Sequence, residues 1–364
     1  MKMKVHFVLG ENYPNVVGGM EIFNYYLIKN LLDKFEISYS AISRLNYEGA
    51  RWFRTSNIRP TKFLYPIQVF FQLLFHRDIR KVVLSYSEAH WILWKLYAIF
   101  MRILHVDYYI VIHHGKKPTT NHLPVYLDLF SHATKVVAVS EDIKRNYDDL
   151  FHLDCQVVYP LVPFEKCKVT RESLRLKYHI PSDRTVFCQI GTVKQMKNPD
   201  SILKAVNSMT DEQIKTLNPH IVYAGSGPMF ESLKTLAADL VLADRVSFLG
   251  FVPKEIINEV YELSDIYVIA SDFEGTSVSL LEAMFNKKPI LASRAPGIVN
   301  TLNESEDCLM FEPRSHEDLK SKIFELVNHP SLASKYRDNV YKHYEKEFSY
   351  QGVLDSYSQI FLNV

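Results

Sequence analysis

The sequence has few cysteines, and they form no recognisable pattern. Its four cysteines, Cys155, Cys167, Cys188 and Cys308, are widely separated and include no CxxC pair. Zinc sites and redox motifs use closely spaced cysteines, so the scatter argues against a zinc site and against a disulfide framework. We therefore expect the chain to work in a reducing cytosol.

The sequence also lacks an excess of charge and a long apolar run. Its 42 basic residues balance 41 acidic ones, which gives no global electrostatic argument for a nucleic-acid partner. The richest apolar region, residues 90–112, is interrupted by Lys95, Arg102, His105 and Asp107. A membrane-spanning helix needs about 20 apolar residues in succession, and the N-terminal apolar run is too short for a signal peptide. We expect an unexported, cytoplasmic protein.

Two successive series of alternating strand-like and helix-like segments occur along the 364 residues. Short runs rich in β-branched residues alternate with longer stretches of helical spacing, which predicts parallel sheets. A proline-containing, charged transition near residues 160–180 separates two such series. The predicted fold is α/β, with two Rossmann-like, doubly wound parallel-sheet domains at residues 1–165 and 175–346. A last helical segment, residues 347–364, is expected to pack back on the first domain.

In open parallel sheets, ligands bind beyond the carboxyl ends of the strands. The residues after the apolar runs are therefore the candidate site. Small and polar residues cluster there: Gly18 and Gly19, His113 and His114, Gly191 to Lys197, Gly225 to Gly227, Gly250 and Phe251, and Glu274 to Ser277.

Two glutamates, Glu274 and Glu282, lie eight positions apart in the segment FEGTSVSLLEAM. A helix rises ~1.5 Å per residue, so eight helical steps would separate them by about 12 Å, too far to act on one bond. The helix start, capped by Thr276 or Ser277, suits a phosphate. We expect the two carboxylates to contact different parts of an extended ligand. The alternative is a turn acid at Glu274 and a solvated helix residue at Glu282.

This segment resembles the EX7E motif of retaining glycosyltransferase family 4, in which two glutamates bracket seven residues. Other segments resemble the family in the same order: GGMEIFNYYL its N-terminal Gly-Gly loop, IGTVKQMKNPDSILKAV its Gly-to-Lys loop, and YAGSGPMFESLK its nucleotide-binding region. The resemblance covers nearly the whole chain and is strongest from Val186 to Pro313. It implies a GT-B fold, in which two Rossmann-like domains face a central cleft and the second binds a nucleotide-sugar.

The resemblance also implies roles for individual residues. Glu282 would bind the ribose hydroxyls, Glu274 would contact the donor sugar near the reacting carbon, and Lys197 would neutralise the diphosphate. Further donor contacts would come from Gly225, Gly250, Phe251, Gly275, Thr276 and Ser277. In the first domain, His113 or His114 would face the donor sugar, and Gly18 and Gly19 would line the acceptor side.

The sequence departs from the family pattern in three respects. Thr192 stands where the family has an arginine, and the charge is then expected from Lys194, or else the diphosphate is held more weakly. The loop after KPILAS has one glycine, Gly297, with Asn300 where a glutamate is common, so the donor sugar stays open. No D-x-D pair occurs. We therefore expect no metal, with the phosphate charge falling to lysine and the helix dipole.

The resemblance implies a retaining hexosyltransferase that moves a sugar from a UDP- or GDP-sugar to a hydroxyl of a glycan or lipid-linked glycan in surface polysaccharide biosynthesis. No cofactor is expected. Two alternatives stay open, an epimerase or hydrolase of the same fold and a non-catalytic partner that binds nucleotide-sugar. A dehydrogenase is disfavoured because GSGPMF lacks the third glycine of GxGxxG.

Two aromatic stretches with basic residues, 62–80 and 91–104, lie in the acceptor-side half. Aromatic stripes usually pack into a core, so both stretches are compatible with core helices. The other hypothesis is that one face rests on the inner surface of a membrane, where a lipid-linked acceptor would lie. The protein would then be peripheral to that membrane.

Overall fold

A computed structural model describes residues 2–9, 19–41, 49–55, 64–86, 91–113, 122–161 and 163–362. The chain divides into two compact units, Met1–Pro163 with Tyr350–Val364, and Phe164–Ser349. Each unit has its own parallel sheet, with helices between most of the successive strands. The predicted fold class, α/β with two Rossmann-like parallel-sheet domains, is confirmed.

The first unit holds a seven-stranded sheet among its described residues. Its strands are β1 (Met3–Val8), β2 (Phe35–Ala41), β3 (Arg51–Arg54), β4 (Lys81–Tyr86), β5 (Asp107–Ile112), β6 (Lys135–Ala138) and β7 (Gln156–Val157). Its helices are α1 (Gly19–Leu31), α2 (Leu64–Phe75), α3 (Trp91–Leu104), α4 (Leu123–Ser131) and α5 (Glu141–Phe151).

The strand order in this sheet is β3-β2-β1-β4-β5-β6-β7, and every pairing is parallel. Because parallel crossovers are right-handed, the reversal of order at β1 and β4 places helices on both faces. Strands covered on both faces are apolar nearly throughout, which is why β5 reads as Tyr-Tyr-Ile-Val-Ile after its first residue.

The last helix, α14 (Tyr350–Leu362), packs into the first unit although it follows the second in sequence. Its Tyr357 hydroxyl donates to the carbonyl of Val158 at 3.0 Å. Phe361 lies edge-on to the rings of Phe7 and Tyr109. The first core is therefore completed by the far end of the chain.

The second unit holds a six-stranded parallel sheet of order β10-β9-β8-β11-β12-β13. Its strands are β8 (Thr185–Ile190), β9 (Pro219–Ala224), β10 (Val246–Gly250), β11 (Ile266–Ile269), β12 (Ile290–Ser293) and β13 (Leu309–Phe311). Its α-helices are α6 (Arg171–Lys177), α7 (Asp200–Asn207), α8 (Asp211–Leu217), α9 (Phe230–Asp239), α10 (Ile257–Leu263), α11 (Val278–Phe285), α12 (His316–Asn328) and α13 (Pro330–Glu347).

The order of this sheet reverses between β8 and β11, so the two loops that follow these neighbouring strands leave the sheet in opposite directions. One loop contains a short 3-10 turn, Gln195–Lys197, and the other leads into α11. Such a reversal opens a crevice at the carboxyl edge of a sheet. None of the helices in the described ranges is both long and apolar enough to cross a bilayer.

Candidate functional site

The loops that follow β8, β9 and β10 form one connected backbone edge. The amide of Gly191 donates to Ala224 O at 2.9 Å, and that of Gly225 donates to Gly250 O at 2.7 Å. The carboxyl ends of neighbouring parallel strands meet at one edge, so these contacts follow from the strand order. The structure thus brings together the segments around the predicted residues Thr192, Lys194, Gly225 and Gly250.

Glycine is required where two of these loops touch. Gly225 has φ +152°, and a Cβ built on it would lie 1.8 Å from the carbonyl oxygen of Gly191. Gly227 has φ +158°, and its Cβ would lie 2.4 Å from the oxygen of Val193. Both approaches are to backbone, which cannot rotate away as a side chain does. The glycines therefore set the path of the loop that contains Thr192 and Lys194.

Lys197 and Glu274 form an ion pair across the reversal of strand order. Oε1 of Glu274 accepts hydrogen bonds from Nζ of Lys197 and from the hydroxyl of Ser271. Glu274 is only 7% exposed. A carboxylate this buried requires partners, and the structure supplies a cation and a hydroxyl from two loops that lie far apart in sequence.

The loop that follows β12 fixes the backbone of Glu274. The Glu274 amide donates to Pro296 O at 3.0 Å. Gly297 has φ +84°, and a Cβ there would lie 2.0 Å from Glu274 O. The segment in which Gly297 and Asn300 depart from the family pattern therefore packs against the carboxylate-bearing turn.

The start of α11 differs from the sequence prediction in one detail. Ser277 is the N-cap residue, as expected, but its side chain makes no capping hydrogen bond and lies 3.2 Å from the hydroxyl of Ser279. The expected cap from the Ser277 hydroxyl is therefore wrong. Without it, the Ser277 hydroxyl does not compete with an anion for the N–H groups at the helix start. Gly275 and Thr276, both half-buried, precede them.

Glu282 is not a solvated helix residue. It is 6% exposed, and its Oε2 lies 3.0 Å from the hydroxyl of Tyr261. Burial raises the pKa of this carboxyl to about 7, and the tyrosine hydroxyl and the charge of Lys254 only partly offset that rise. Few hydrogen bonds and charges offset the cost of burying this carboxylate, so it can accept further hydrogen-bond donors.

The remaining second-domain candidates lie at the same edge. Thr192 and Phe251 are exposed, Lys194 is half-buried, and Gly250 has φ +66°. A small pocket here is lined by Gln189, Gly191, Thr192, Val193, Lys197, Ser271, Glu274 and their neighbours.

Gln189 was missed by the sequence interpretation because it sits inside an apolar strand. Its Nε2 donates to Lys197 O at 2.9 Å. Its Oε1 is buried and has no hydrogen-bond partner within the described residues. An open acceptor therefore lines the pocket beside the lysine.

The first-domain candidates are described only in part. Gly18 and His114 lie outside the described residues, and Gly19 is the first residue of α1. His113 follows β5, with its ring centroid 4.8 Å from that of Phe23. Its Nε2 is buried without a hydrogen-bond partner in the described ranges. Burial lowers the pKa of His113 to about 3, so the ring is neutral at physiological pH.

The described part of the chain contains no group of three or more histidine, cysteine, aspartate or glutamate side chains arranged to hold a metal ion. Lys197 is the basic residue among those that line the pocket of the second domain.

Sequence comparison finds a family model that matches most of the second domain. Residues 170–343 match the model of the glycosyl transferases group 1 family. The uncharacterized glycosyltransferase MJ1069 of Methanocaldococcus jannaschii is 27% identical over 237 residues, which are 64% of this chain and 59% of that protein. This chain therefore matches less than two thirds of that relative.

Structure comparison covers both domains. A glycosyltransferase from Rickettsia africae superposes with a TM-score of 0.84 at 18% identity, covering 99% of this chain and 98% of that one. Anabaena Alr3699/HepE, solved in complex with UDP, gives a TM-score of 0.81 at 15% identity over 100% of both chains. Likeness at such identities shows the fold, and the predicted GT-B fold class is confirmed.

Proposed function

The match of the second domain to the glycosyl transferases group 1 family, together with the GT-B fold, supports glycosyl transfer, and we propose that this chain is a retaining glycosyltransferase. Its donor is a nucleotide-diphosphate sugar, either a UDP- or a GDP-sugar. Its acceptor is a hydroxyl of a glycan or lipid-linked glycan of the cell surface. UDP bound to the similar Anabaena protein supports a nucleotide donor.

The Lys197–Glu274 pair beside the start of α11 is the observation that carries this proposal. A diphosphate at the uncapped helix start would meet the helix dipole and the Lys197 ammonium, both of which stabilise negative charge. The sugar would then lie toward Glu274. One loop edge thus offers positive charge to the leaving group and negative charge to the reacting carbon.

The chemistry follows from these charges. The bond between the anomeric carbon and the diphosphate breaks as the acceptor oxygen bonds to that carbon on the same face. The acceptor proton passes to the departing phosphate oxygen. Positive charge develops on the sugar ring in between, and Glu274 stabilises it without attacking. Lys197 exchanges its contact with Glu274 for one with the diphosphate.

Glu282 serves the other end of the donor. Its buried carboxyl has a raised pKa because burial outweighs its few partners. Two ribose hydroxyls would donate to it and compensate the carboxylate, which favours ionisation on binding. Glu282, the start of α11 and Glu274 thereby contact ribose, diphosphate and sugar in that order.

A donor screen followed by product analysis tests this function. Thermal shifts with UDP-, GDP- and ADP-sugars identify the donor, because a ligand that binds only the folded state raises its stability. NMR of the product should then show the anomeric configuration of the donor. An inverted product would overturn retention. Free sugar or epimer formed rapidly without acceptor would establish a hydrolase or epimerase, and binding without turnover a non-catalytic partner.

Two substitutions test the site directly. Lys197→Ala and Glu274→Ala should each lower kcat by about 100-fold or more, because each removes charge stabilisation from the transition state. Circular dichroism should stay unchanged. Lys204→Ala is the matched control, since Lys204 pairs with Asp200 on the surface of α7. Near-normal turnover in both site variants would contradict the proposal.

We also propose that the first domain rests on a membrane through α2. The helix has no charged residue, and its Leu64, Phe71 and Phe75 are exposed along one side. Phe70 packs against Phe100 of α3 with ring centroids 4.6 Å apart, which holds this stripe outward. The hypothesis of two ordinary core helices does not account for a phenylalanine that is 79% exposed.

Basic residues flank the α2 stripe. Arg77 and Arg80 follow the helix, and Lys95 lies on α3; all three are exposed. Arg102 of α3 is also exposed, but its guanidinium pairs with both carboxylate oxygens of Asp128. Exposed aromatic and aliphatic groups bordered by cations match an anionic lipid surface, where apolar groups enter the interface and cations meet the headgroups. The acceptor at such a surface would be lipid-linked.

Vesicle sedimentation tests the membrane contact. Wild-type protein should bind vesicles with anionic lipid more strongly than neutral ones, and salt should weaken the binding. Phe71→Ser with Phe75→Ser should abolish it while transfer to a soluble acceptor continues. Leu176→Ser is the control, because Leu176 is an equally exposed apolar residue of the second domain. Equal binding by wild type and the double variant would refute the contact.

A further inference from the structure

Arg314 occupies a strained position in the loop between β13 and α12. Its φ is +64°, a conformation in which side chains other than glycine are uncommon. Its guanidinium donates to both carboxylate oxygens of Asp272, from Nε at 3.0 Å and from Nη2 at 2.6 Å. A two-point pair of this kind fixes direction as well as distance. The strain persists because the pair holds the loop in place.

Asp272, the partner of Arg314, also forms hydrogen bonds with the loop that follows β8. Its Oδ1 accepts a hydrogen bond from Nδ2 of Asn198 at 2.6 Å, and its amide donates to Met196 O at 2.9 Å. Asn198 is buried and also donates to Ala270 O at 3.0 Å. Arg314 holds the pKa of the Asp272 carboxyl below its ordinary value, because its guanidinium donates to the charged form.

The two segments that these hydrogen bonds join also contain the residues of the Lys197–Glu274 ion pair. Lys197 lies between Met196 and Asn198, and Glu274 lies two residues after Asp272. The clamp of Arg314, Asp272 and Asn198 therefore fixes the backbone on both sides of the pair. Arg314 itself is 69% exposed in its side chain and contributes little to the core.

We propose that Arg314 is a positioning residue for sugar transfer, which acts through Asp272 to hold Lys197 and Glu274 at the spacing that the donor requires. The inference rests on the proposed function and adds a residue that does not itself contact the donor. A misplacement of about 1 Å far from the chemistry costs up to about 100-fold in rate. The clamp is placed to prevent such a shift.

Arg314→Gly separates positioning from simple stability. Glycine accepts φ +64° without strain, so the thermal midpoint should stay the same or rise. Transfer should nevertheless fall, with kcat about 10- to 100-fold below wild type and the KM for the acceptor unchanged. Arg314→Lys keeps the charge but not the two-point geometry and should recover part of the loss. Lys177→Ala is the control, because Lys177 forms a surface ion pair with Glu259.

Hydrogen exchange provides a readout that does not depend on activity. Amides of residues 195–198 and 271–275 should exchange faster in Arg314→Gly than in the wild type, while those of α12 keep their rate. Absence of transfer by the wild type would overturn the proposed function, but the exchange measurement would still test whether Arg314 holds the two segments in place. Unchanged exchange, or unchanged kcat in an active enzyme, would overturn the clamp.

Discussion

At the scale of single residues, Glu274 and Glu282 are equally buried but differently compensated. Glu274 has the Lys197 ammonium and the Ser271 hydroxyl on one oxygen. Glu282 has a tyrosine hydroxyl at 3.0 Å. Burial penalises a carboxylate unless charge or hydrogen bonds replace water. Of these two glutamates, Glu282 is therefore the one whose ionisation destabilises the unliganded second domain.

The substitution Glu282→Gln should stabilise the protein in a pH-dependent way. The pKa of this carboxyl rises from 4.5 to about 7 on folding. Its penalty is therefore absent below pH 4.5, grows up to pH 7 and is complete above it. The variant should be more stable than wild type at pH 8, by at most about 3 kcal/mol. That advantage should vanish at pH 4.5.

Thermal unfolding at pH 8 and pH 4.5 measures this difference, and nucleotide binding should weaken in the same variant. Glu274→Gln is the contrasting case, because it removes an ion pair and should not stabilise the fold at pH 8. A gain of equal size at both pH values would show that ionisation of Glu282 is not its cause.

At the scale of elements, the loops of the second domain depend on backbone contacts that admit no Cβ. Gly225 combines φ +152° with a Cβ position 1.8 Å from a carbonyl oxygen. The amide of the same residue donates to Gly250 O. A methyl group there must displace the loop after β8, which carries Lys194 and leads to Lys197.

Gly225→Ala should therefore destabilise the second domain by about 2 kcal/mol or more, because both the clash and the φ value oppose alanine. Urea unfolding gives the size of the effect. Gly275→Ala is the matched control, since a Cβ at Gly275 meets nothing within 4 Å and no positive φ is imposed. Equal stability of the two variants would contradict this role of Gly225.

Sequence patterns predicted elements well where burial repeats regularly and poorly where it does not. β5 is buried after its first residue and was evident as an apolar run. β3, Arg-Trp-Phe-Arg, is a half-exposed edge strand with charged ends and gave no such signal. The sequences of α2 and α3 were compatible with helices under both hypotheses, that of core helices and that of a face resting on a membrane. The exposure of Phe71 and Phe75 depended on which side packs against α3.

At the scale of the whole molecule, the first domain is closed by the last segment of the chain. α14 contributes five large apolar side chains to that core: Val353, Leu354, Tyr357, Ile360 and Phe361. Burying a side chain of this size stabilises by about 1.5–3 kcal/mol. Five of them amount to about 7–15 kcal/mol, comparable with the total stability of a domain.

Truncation after Ser349 should therefore unfold the first domain and leave the second folded. Calorimetry should lose one transition, and limited proteolysis should leave a resistant fragment near residues 164–349. A chain with only Leu362 substituted by serine is the control, because that residue is exposed at the end of α14. Two intact transitions in the truncated chain would contradict the role of this helix.

Much of the candidate site was already predictable from the sequence. The apolar runs predicted where strands end, and parallel strands bring their carboxyl ends to one edge. Lys197, Gly225, Gly250 and Glu274 were therefore singled out without coordinates, and the structure places them along one edge of the second sheet. The family resemblance added roles to these positions, and those roles remain proposals.

By itself, the sequence determined the class of fold and the residue types at the strand ends, because both follow from local periodicity along the chain. Only the tertiary structure decided the partners. Lys197 meets Glu274 from 77 residues away, and Arg314 meets Asp272 from 42. The Ser277 hydroxyl contacts that of Ser279, and Glu282 is buried against Tyr261. Such pairings depend on how separate loops pack in space, and packing between distant segments leaves no periodic signal in the sequence.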